Sequence, residues 1–555
     1  MTQHVGTRRW LLAGGLAIVG CGSEPGAEQA HTWFVEVAQE SGVDFVHHSD
    51  ASASFRFPEI MGGGAALFDH DDDGDLDLYL VQSGALGASS TERSTNRLYR
   101  NDGAGAFSDV TDVAGVGHDG YGMGVCCGDY DDDGDIDLYV TNVGPNVLYR
   151  NNGDGTFTDV SDATGVAGDT WSTSCAFVDL DDDGKLDLIV LNNLGWDESE
   201  EIESFNYYGE RDYSSPNNYN AALPDALYRN LGAGQFEDVT AVSGLQSTYG
   251  NGLGVSCGDF DLDGKIDLYV ANDARANQLW RNLGEMQFED TALENGCAVN
   301  GDGRAEAGMG VQFVDIENDG DLDLFMTHLR DESNTFYLNR SGVFGDVTRM
   351  TGMLGRSIQF TGFGMGFADF DHDGQLDLFI ANGAVQSWKH RHDPGDAYAE
   401  PNLLFRGTGA AHFEEVPHAG LGADLLGTSR AAAFGDIDGD GDVDVVVVER
   451  DAPVRILRNT APRGAHAIQL RVLQNGKDAI GAGLEIQAGT STQRRQVQTA
   501  YSYLASNDPR VHVGLGDATR VERVTVTWPG GGQESFGPLA ADGVHVLKFG
   551  EGRSE

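Results

Sequence analysis

Asp69, Asp71, Asp73 and Asp77 lie in the nine-residue stretch Asp69-His70-Asp71-Asp72-Asp73-Gly74-Asp75-Leu76-Asp77, at positions 1, 3, 5 and 9, with Gly74 at position 6. Carboxylates on alternate residues can converge on one hard cation, and the glycine allows the φ > 0 bend that brings the chain back around it. The stretch occurs seven times. Position 1 is Asp69, Asp129, Asp179, Asp259, Asp315, Asp369 and Asp436. Position 3 is Asp71, Asp131, Asp181, Asp261, Glu317, Asp371 and Asp438, and position 5 is Asp73, Asp133, Asp183, Asp263, Asp319, Asp373 and Asp440. Position 9 is Asp77, Asp137, Asp187, Asp267, Asp323, Asp377 and Asp444. Position 7 holds Asp75, Asp135, Lys185, Lys265, Asp321, Gln375 and Asp442, so a site that accepts Lys there takes the backbone carbonyl. Four carboxylates, a carbonyl and water make six or seven oxygen ligands, which suits Ca²⁺ better than Mg²⁺ or zinc. Up to seven structural calcium ions are expected, with the Glu317 loop the weakest or most rearranged. There is no Glu at position 12 and a strand follows, so these are not EF-hands.

The elements that hold the loops repeat with them. Each unit opens with a Gly-rich apolar run such as Gly122-Met123-Gly124-Val125, and the Asp loop and an apolar strand such as Asp137-Leu138-Tyr139-Val140 follow. A third segment reads Leu148-Tyr149-Arg150-Asn151 or Leu279-Trp280-Arg281-Asn282, and a fourth reads Phe107-Ser108-Asp109-Val110-Thr111 or Phe236-Glu237-Asp238-Val239-Thr240. Four short β segments per unit describe a propeller blade, and seven units give seven blades. The seventh unit stops at Ile456-Leu457-Arg458-Asn459, and its missing fourth segment is present at the other end of the chain as Phe34-Val35-Glu36-Val37. The N-terminal strand therefore closes the ring, which removes the open edges of a linear stack; an open solenoid would leave that strand unpaired. Residues 32–461 form this propeller and 462–550 a small separate β domain. The fold class is all-β.

Of 88 acidic residues, 35 lie in the seven loops, where a divalent cation neutralises them, and the net charge is −53. Such acidity argues against nucleic acid and anionic membrane surfaces as partners. Residues 1–21 read as an export signal: Arg8-Arg9 precede a ten-residue apolar run, and Ile18-Val19-Gly20-Cys21 matches a lipoprotein cleavage site with Cys21 lipidated. The twin-arginine and general export routes both remain open. Residues 22–31 would be a tether, so membrane contact is expected through the lipid anchor alone. Cys126, Cys127, Cys175, Cys257 and Cys297 contain no CxxC pair and read as buried apolar filler rather than a disulfide framework.

The loops and strands resemble FG-GAP/VCBS repeats of integrin-α-type propellers. The tail resembles the ASPIC/UnbV domain through Lys477-Asp478-Ala479-Ile480-Gly481-Ala482, Tyr503-Leu504-Ala505-Ser506, His512-Val513-Gly514-Leu515-Gly516 and Val526-Thr527-Trp528-Pro529-Gly530. Lys477 stands where Arg is usual. This order of parts is that of the cartilage acidic protein family and its bacterial relatives. The resemblance implies an exported, calcium-binding propeller of adhesion or recognition type, and supplies no activity for the tail.

Gly254-Val255-Ser256-Cys257-Gly258 matches the G-x-S-x-G nucleophile pattern but lies on the strand entering an Asp loop, not at a strand-to-helix turn. No catalytic residue is expected. The face away from the Asp loops offers more. Two long insertions emerge there: 193–225, with Trp196, Tyr207, Tyr208 and Tyr213, and 383–401, with Trp388, Lys389, His390, Arg391 and His392. Thirteen residues after each first Asp comes Gln82, Asn142, Asn192, Asn272, His328, Asn382 or Glu449. Trp388, His390 and His392 with the ring Asn142, Asn192, Asn272, His328 and Asn382 form a possible face for a protein or polysaccharide ligand, unless the amides merely cap turns. The reading from sequence is a calcium-stabilised recognition protein of the bacterial cell envelope, at the outer membrane or cell surface. A polysaccharide-acting enzyme and a structural component of an envelope assembly are the alternatives.

Overall fold

In the computed structural model, residues 32–86, 94–219, 221–388, 392–462 and 464–554 are described. Seven four-stranded antiparallel units contain the seven repeats; those of blades 2 and 3 join in one eight-stranded sheet through Thr170–Trp171 and Val143–Gly144, and blade 1 gains a parallel strand, Ala505–Ser506, from the tail. Blade 2 is typical: Tyr121–Gly128, Asp137–Gly144, Val147–Asn151 and Phe157–Asp159 run from the axis outward. In every blade the Asp loop joins the innermost strand to the second. The innermost strands touch one another in sequence around the axis, and Ser429–Gly435 of blade 7 returns to Ala65–Phe68 of blade 1. Phe34–Glu36 supplies the outer strand of blade 7, Phe34 opposite Asn459 and Glu36 opposite Leu457. The ring is closed as the N-terminal segment predicts. Among the described residues no helix is long and apolar enough to cross a membrane.

Residues after 461 do not form a detached unit. They build their own apolar core, including Ile468, Leu484, Val513, Val524 and Trp528, from two larger sheets and a two-stranded one, the last strand being Arg553–Ser554. One loop, 499–508, leaves that core and enters the ring. Tyr503 and Leu504 are fully buried on the axis with Met123, Leu253, Met309 and Phe363 of the blades. The loop bonds blade after blade. Ala505 and Ser506 pair with Ala65 and Ala66, Leu504 N–H donates to Ser174 Oγ (3.1 Å), and Ser502 exchanges backbone bonds with Val311. Met365 N–H donates to Ser502 Oγ (2.9 Å) and Phe434 N–H to Asn507 Oδ1 (3.0 Å). Tyr503 Oη reaches the Met61 carbonyl beyond the channel (2.9 Å). From that end Phe57, Ile60 and Met61 close the axis. The Gly-rich innermost strands now have a physical reason: a Cβ on Gly64 would meet the Leu504 carbonyl at 2.7 Å, and one on Gly124 the Leu504 Cα at 3.2 Å. The tail thus keeps a core of its own beside this role, and a motif with no Asp loops gave no sign that its Tyr-Leu segment is the hub of the ring.

Candidate metal centres and the opposite face

Each Asp loop is wound by its own carboxylates. Asp69 accepts the N–H groups of Asp73 (Oδ1, 3.1 Å) and Gly74 (Oδ2, 3.0 Å), and Asp73 Oδ1 accepts that of Asp75 (3.0 Å). The same bonds recur around Asp129, Asp259, Asp315 and Asp436. Gly74 sits at φ 95° and Gly320 at φ 103°, which side chains rarely adopt.

Position 9 anchors the loop. Asp77, Asp137, Asp187, Asp267, Asp323 and Asp377 are fully buried, and Asp444 is 1% exposed. One oxygen accepts the N–H of position 2 and the other that of the third strand, as Asp137 does from Tyr130 (3.1 Å) and Asn151 (2.7 Å). Carboxylate oxygens of Asp129, Asp131 and Asp137, and of Asp179, Asp181 and Asp187, lie within 4.8 Å of one another. Burial pushes Asp137 up to about 9 and Asp187, Asp267 and Asp323 up to about 8, while Asp69, Asp129 and Asp179 rise to about 6. Without a cation these groups favour the protonated form. Asp179 Oδ1, Asp181 Oδ1 and Asp369 Oδ1 are buried with no hydrogen-bond partner. Orphaned oxygens facing neighbouring carboxylates fit a bound cation, and an all-oxygen set at this spacing fits calcium.

At position 7, Lys185 and Lys265 fold their ammonium groups onto Asp183 (2.7 Å) and Asp263 (3.0 Å), away from the position-1 carboxylates. An arginine of the third strand does similar work in several blades: Arg229 meets Asp181 (2.5 Å), Arg281 meets Asp261 (2.7 Å), and Arg406 meets Asp371 (2.7 Å) and Asp373 (2.6 Å). In blade 5 the arginine, Arg340, comes one residue after the strand's Asn339, and the longer Glu317 reaches it (2.5 Å). The sequence reading used the Leu-Tyr-Arg-Asn segment only as a strand, although its recurring Arg-Asn pair was visible. The asparagine is a staple. Asn151 Nδ2 donates to Ile136 O in its own loop and to His70 O in the preceding one, and Asn101 does the same toward Ile437, across the closure. Gly407 replaces it in blade 6.

Position 4 also carries a role that its variability hid. Its residues sit at positive φ, and three of them contact the tail, which lies over this face. Asp132 pairs with Lys477, Asn318 accepts from Arg494 N–H (2.8 Å) and Arg495 (3.2 Å), and His372 meets His512 (3.2 Å). Gln469 of the tail donates directly to the position-1 Asp436 (2.7 Å). Between tail and ring lies a cleft of about 540 Å³ lined by Phe313, Phe434, Arg494, Arg495, Tyr501 and Trp528, among others.

On the other face the expected polar ring is not available to a ligand. Asn142, Asn192, Asn272, His328 and Asn382 are 0–5% exposed. Asn192 donates to Pro224 O (2.8 Å), Asn272 to Ala276 O (3.0 Å) and Asn382 to Pro401 O (2.8 Å), so the amides cap the connections that follow them. Trp388 is half-buried under Arg330, whose guanidinium stands 4.5 Å from its ring centre. His392 is exposed beside Phe360. His390 and Cys21 lie outside the described residues. The hairpin Ser204–Phe205/Arg211–Asp212 instead projects Tyr207 (91% exposed) and Phe205 (55%). Ser256 is fully buried and accepts the N–H of Phe313 (3.0 Å), which excludes it as a nucleophile in this fold. All five described cysteines are buried free thiols.

These features define a closed β-propeller built on Asp-loop repeats and plugged by its own tail. FG-GAP-like repeats match residues 69–140, 129–190, 211–270, 259–326 and 315–380, and the ASPIC and UnbV family matches 472–554. The chain belongs to the FG-GAP-like repeat family and ends in an ASPIC and UnbV segment. It is 28% identical over 345 residues to cartilage acidic protein 1 of Homo sapiens, covering 59% of this chain and 48% of the relative. The Mus musculus protein is 28% identical over 324 residues, covering 56% and 46%. The chain spans about half the length of these curated relatives. Among solved structures, YCF48 bound to D1 peptide aligns with TM-score 0.41 and 10% identity, covering 76% of this chain and 99% of that one. A lectin of Agrocybe aegerita that recognises terminal N-acetylglucosamine aligns at TM-score 0.37 and 15% identity, covering 64% and 79%.

Proposed function

We propose that this protein is an exported, lipid-anchored recognition protein of the cell envelope. Calcium in its Asp loops stabilises the ring, and its insertion face binds a protein or polysaccharide. The observation that carries the reading is the division of the two faces. The tail lies over the loops and plugs the channel, whereas the opposite face presents an aromatic hairpin with Tyr207 and Phe205 in solvent. Exposed aromatics of this kind gain affinity when a partner covers them. The family resemblance to cartilage acidic protein supports an adhesion-type role, and the Arg8-Arg9 and Cys21 pattern supports export and lipidation. A glycan array and an envelope pull-down, each with wild type and the Phe205→Ala/Tyr207→Ala variant in calcium, test this. Ligand capture by the wild type that the variant loses supports the reading. Equal capture by both, or turnover of an oligosaccharide, overturns it. Labelling with a fatty-acid probe that disappears in Cys21→Ser tests the anchor.

A further inference from the structure

Two histidines and an aspartate meet where the tail crosses blades 6 and 7. His372 occupies position 4 of the blade 6 loop at φ 62°, which turns its side chain away from the carboxylates of that loop and toward the tail. His512 lies on the tail strand Val511–Gly516, and Asp442 is position 7 of the blade 7 loop. His372 Nε2 stands 3.2 Å from His512 Nε2 and 3.2 Å from Asp442 Oδ1. The rings are tilted by 41° with centres 5.0 Å apart, so the two nitrogens converge rather than stack. His372 is 8% and Asp442 3% exposed.

Both separations from His372 Nε2 match those between ligands sharing an ion. A tetrahedral zinc with bonds of about 2.0–2.1 Å separates its ligand atoms by about 3.3 Å. The backbone holds the arrangement in place: Gly516 N–H donates to the His372 carbonyl (2.9 Å). A Cβ on Gly514 would meet His372 Cα at 2.7 Å, so only glycine lets the tail strand come this close.

We propose that His372, Asp442 and His512 form a transition-metal site of the zinc type that clamps the tail to blades 6 and 7. Nitrogen ligands separate it in chemistry from the all-oxygen loops. It also does not compete with calcium for Asp442, since the loop takes the carbonyl of that residue and this site its carboxylate. Three protein ligands leave a fourth position for water or a ligand atom, and His512 lines the cleft between tail and ring. The site would thus stand beside the cleft and hold the tail to the ring.

The test uses the untagged full chain in excess calcium, titrated with Co²⁺ and then Zn²⁺. Expected are one equivalent of Co²⁺ with the visible bands of a four- or five-coordinate ion, displacement by Zn²⁺, and a Zn²⁺-dependent rise in melting temperature. His372→Ala, His512→Ala and Asp442→Asn should each weaken Co²⁺ binding at least tenfold and lose the Zn²⁺-dependent rise, while His466→Asn keeps both. If an alanine variant fails to fold in calcium, His512→Gln and Asp442→Asn give the same reading with less change of volume. No stoichiometric Co²⁺ uptake in calcium, or uptake undiminished in His372→Ala/His512→Ala, overturns the proposal. Calcium binding by the loops is measured separately, so its failure is distinguishable.

Discussion

The two faces of the ring are made from the same repeat and differ in what they leave exposed. On the Asp-loop face, positions 1, 3, 5, 6 and 9 recur almost without change, and the variable position 4 holds the tail in blades 2, 5 and 6. On the insertion face the repeat ends in buried amides that cap turns, and the chain then departs from its own pattern in the long connections. Regularity builds and closes the ring. Irregularity supplies the surface that distinguishes this protein from any other ring of the same construction.

The largest effect should come from the regular face. Removing calcium leaves buried carboxylates crowded together, and calcium bound at 100 times its Kd stabilises by about 2.7 kcal/mol per site. EGTA should therefore lower the melting temperature by well over ten degrees, and an unchanged melt would mean that the loops are metal-free turns. Next comes the plug. Leu504→Asp puts a charge on the axis, and Tyr503→Ala leaves a cavity at a cost of about 3–5 kcal/mol. Both should unfold or loosen the ring itself, not the tail alone, which hydrogen exchange of the innermost strands would show. If only tail amides lose protection, the plug is a passenger.

The third prediction concerns pH in the calcium-free protein. Asp137, Asp187, Asp267 and Asp323 titrate at about 8 to 9 when folded, above the ordinary value of about 3.9 in the unfolded chain. The folded state then binds more protons between those limits, so stability is fullest near pH 4 and falls as pH rises toward 9. Melting temperature in EGTA should drop from pH 5.5 to pH 8.5, with calcium reducing the slope and releasing protons on binding. A flat profile in EGTA would contradict the buried, metal-free carboxylates. The smallest effect on stability belongs to the other face: Tyr207→Ala should change it by less than about 0.5 kcal/mol while abolishing ligand capture.

Much of this was legible along the chain because it is local. Asp at 1, 5 and 9 with Gly at 6 specifies a wound loop whatever surrounds it, and Phe34-Val35-Glu36 could be matched to a missing strand by pattern alone. The bland reading of the amides at 192, 272 and 382 also stood in the sequence, since Asn side chains hydrogen-bond the backbone of the turns they enter. Other roles had no local signal. Arg229 and Arg281 read as strand residues until the fold set them against the loops beside them. Tyr503 and Leu504 lie more than 400 residues from Met61, and no periodicity links them.

The sequence by itself determined the repeat, the wound loops, the closure of the ring and the oxygen chemistry of positions 1 to 9, because each depends on contacts within one unit or on a count of units. Only the tertiary structure decided that the tail is the hub, that position 4 docks it, and that His372 stands 3.2 Å from both Asp442 and His512. The physical reason is distance along the chain. Those contacts join residues from three different places, and they exist only after seven blades have closed around an axis narrow enough for one loop to fill.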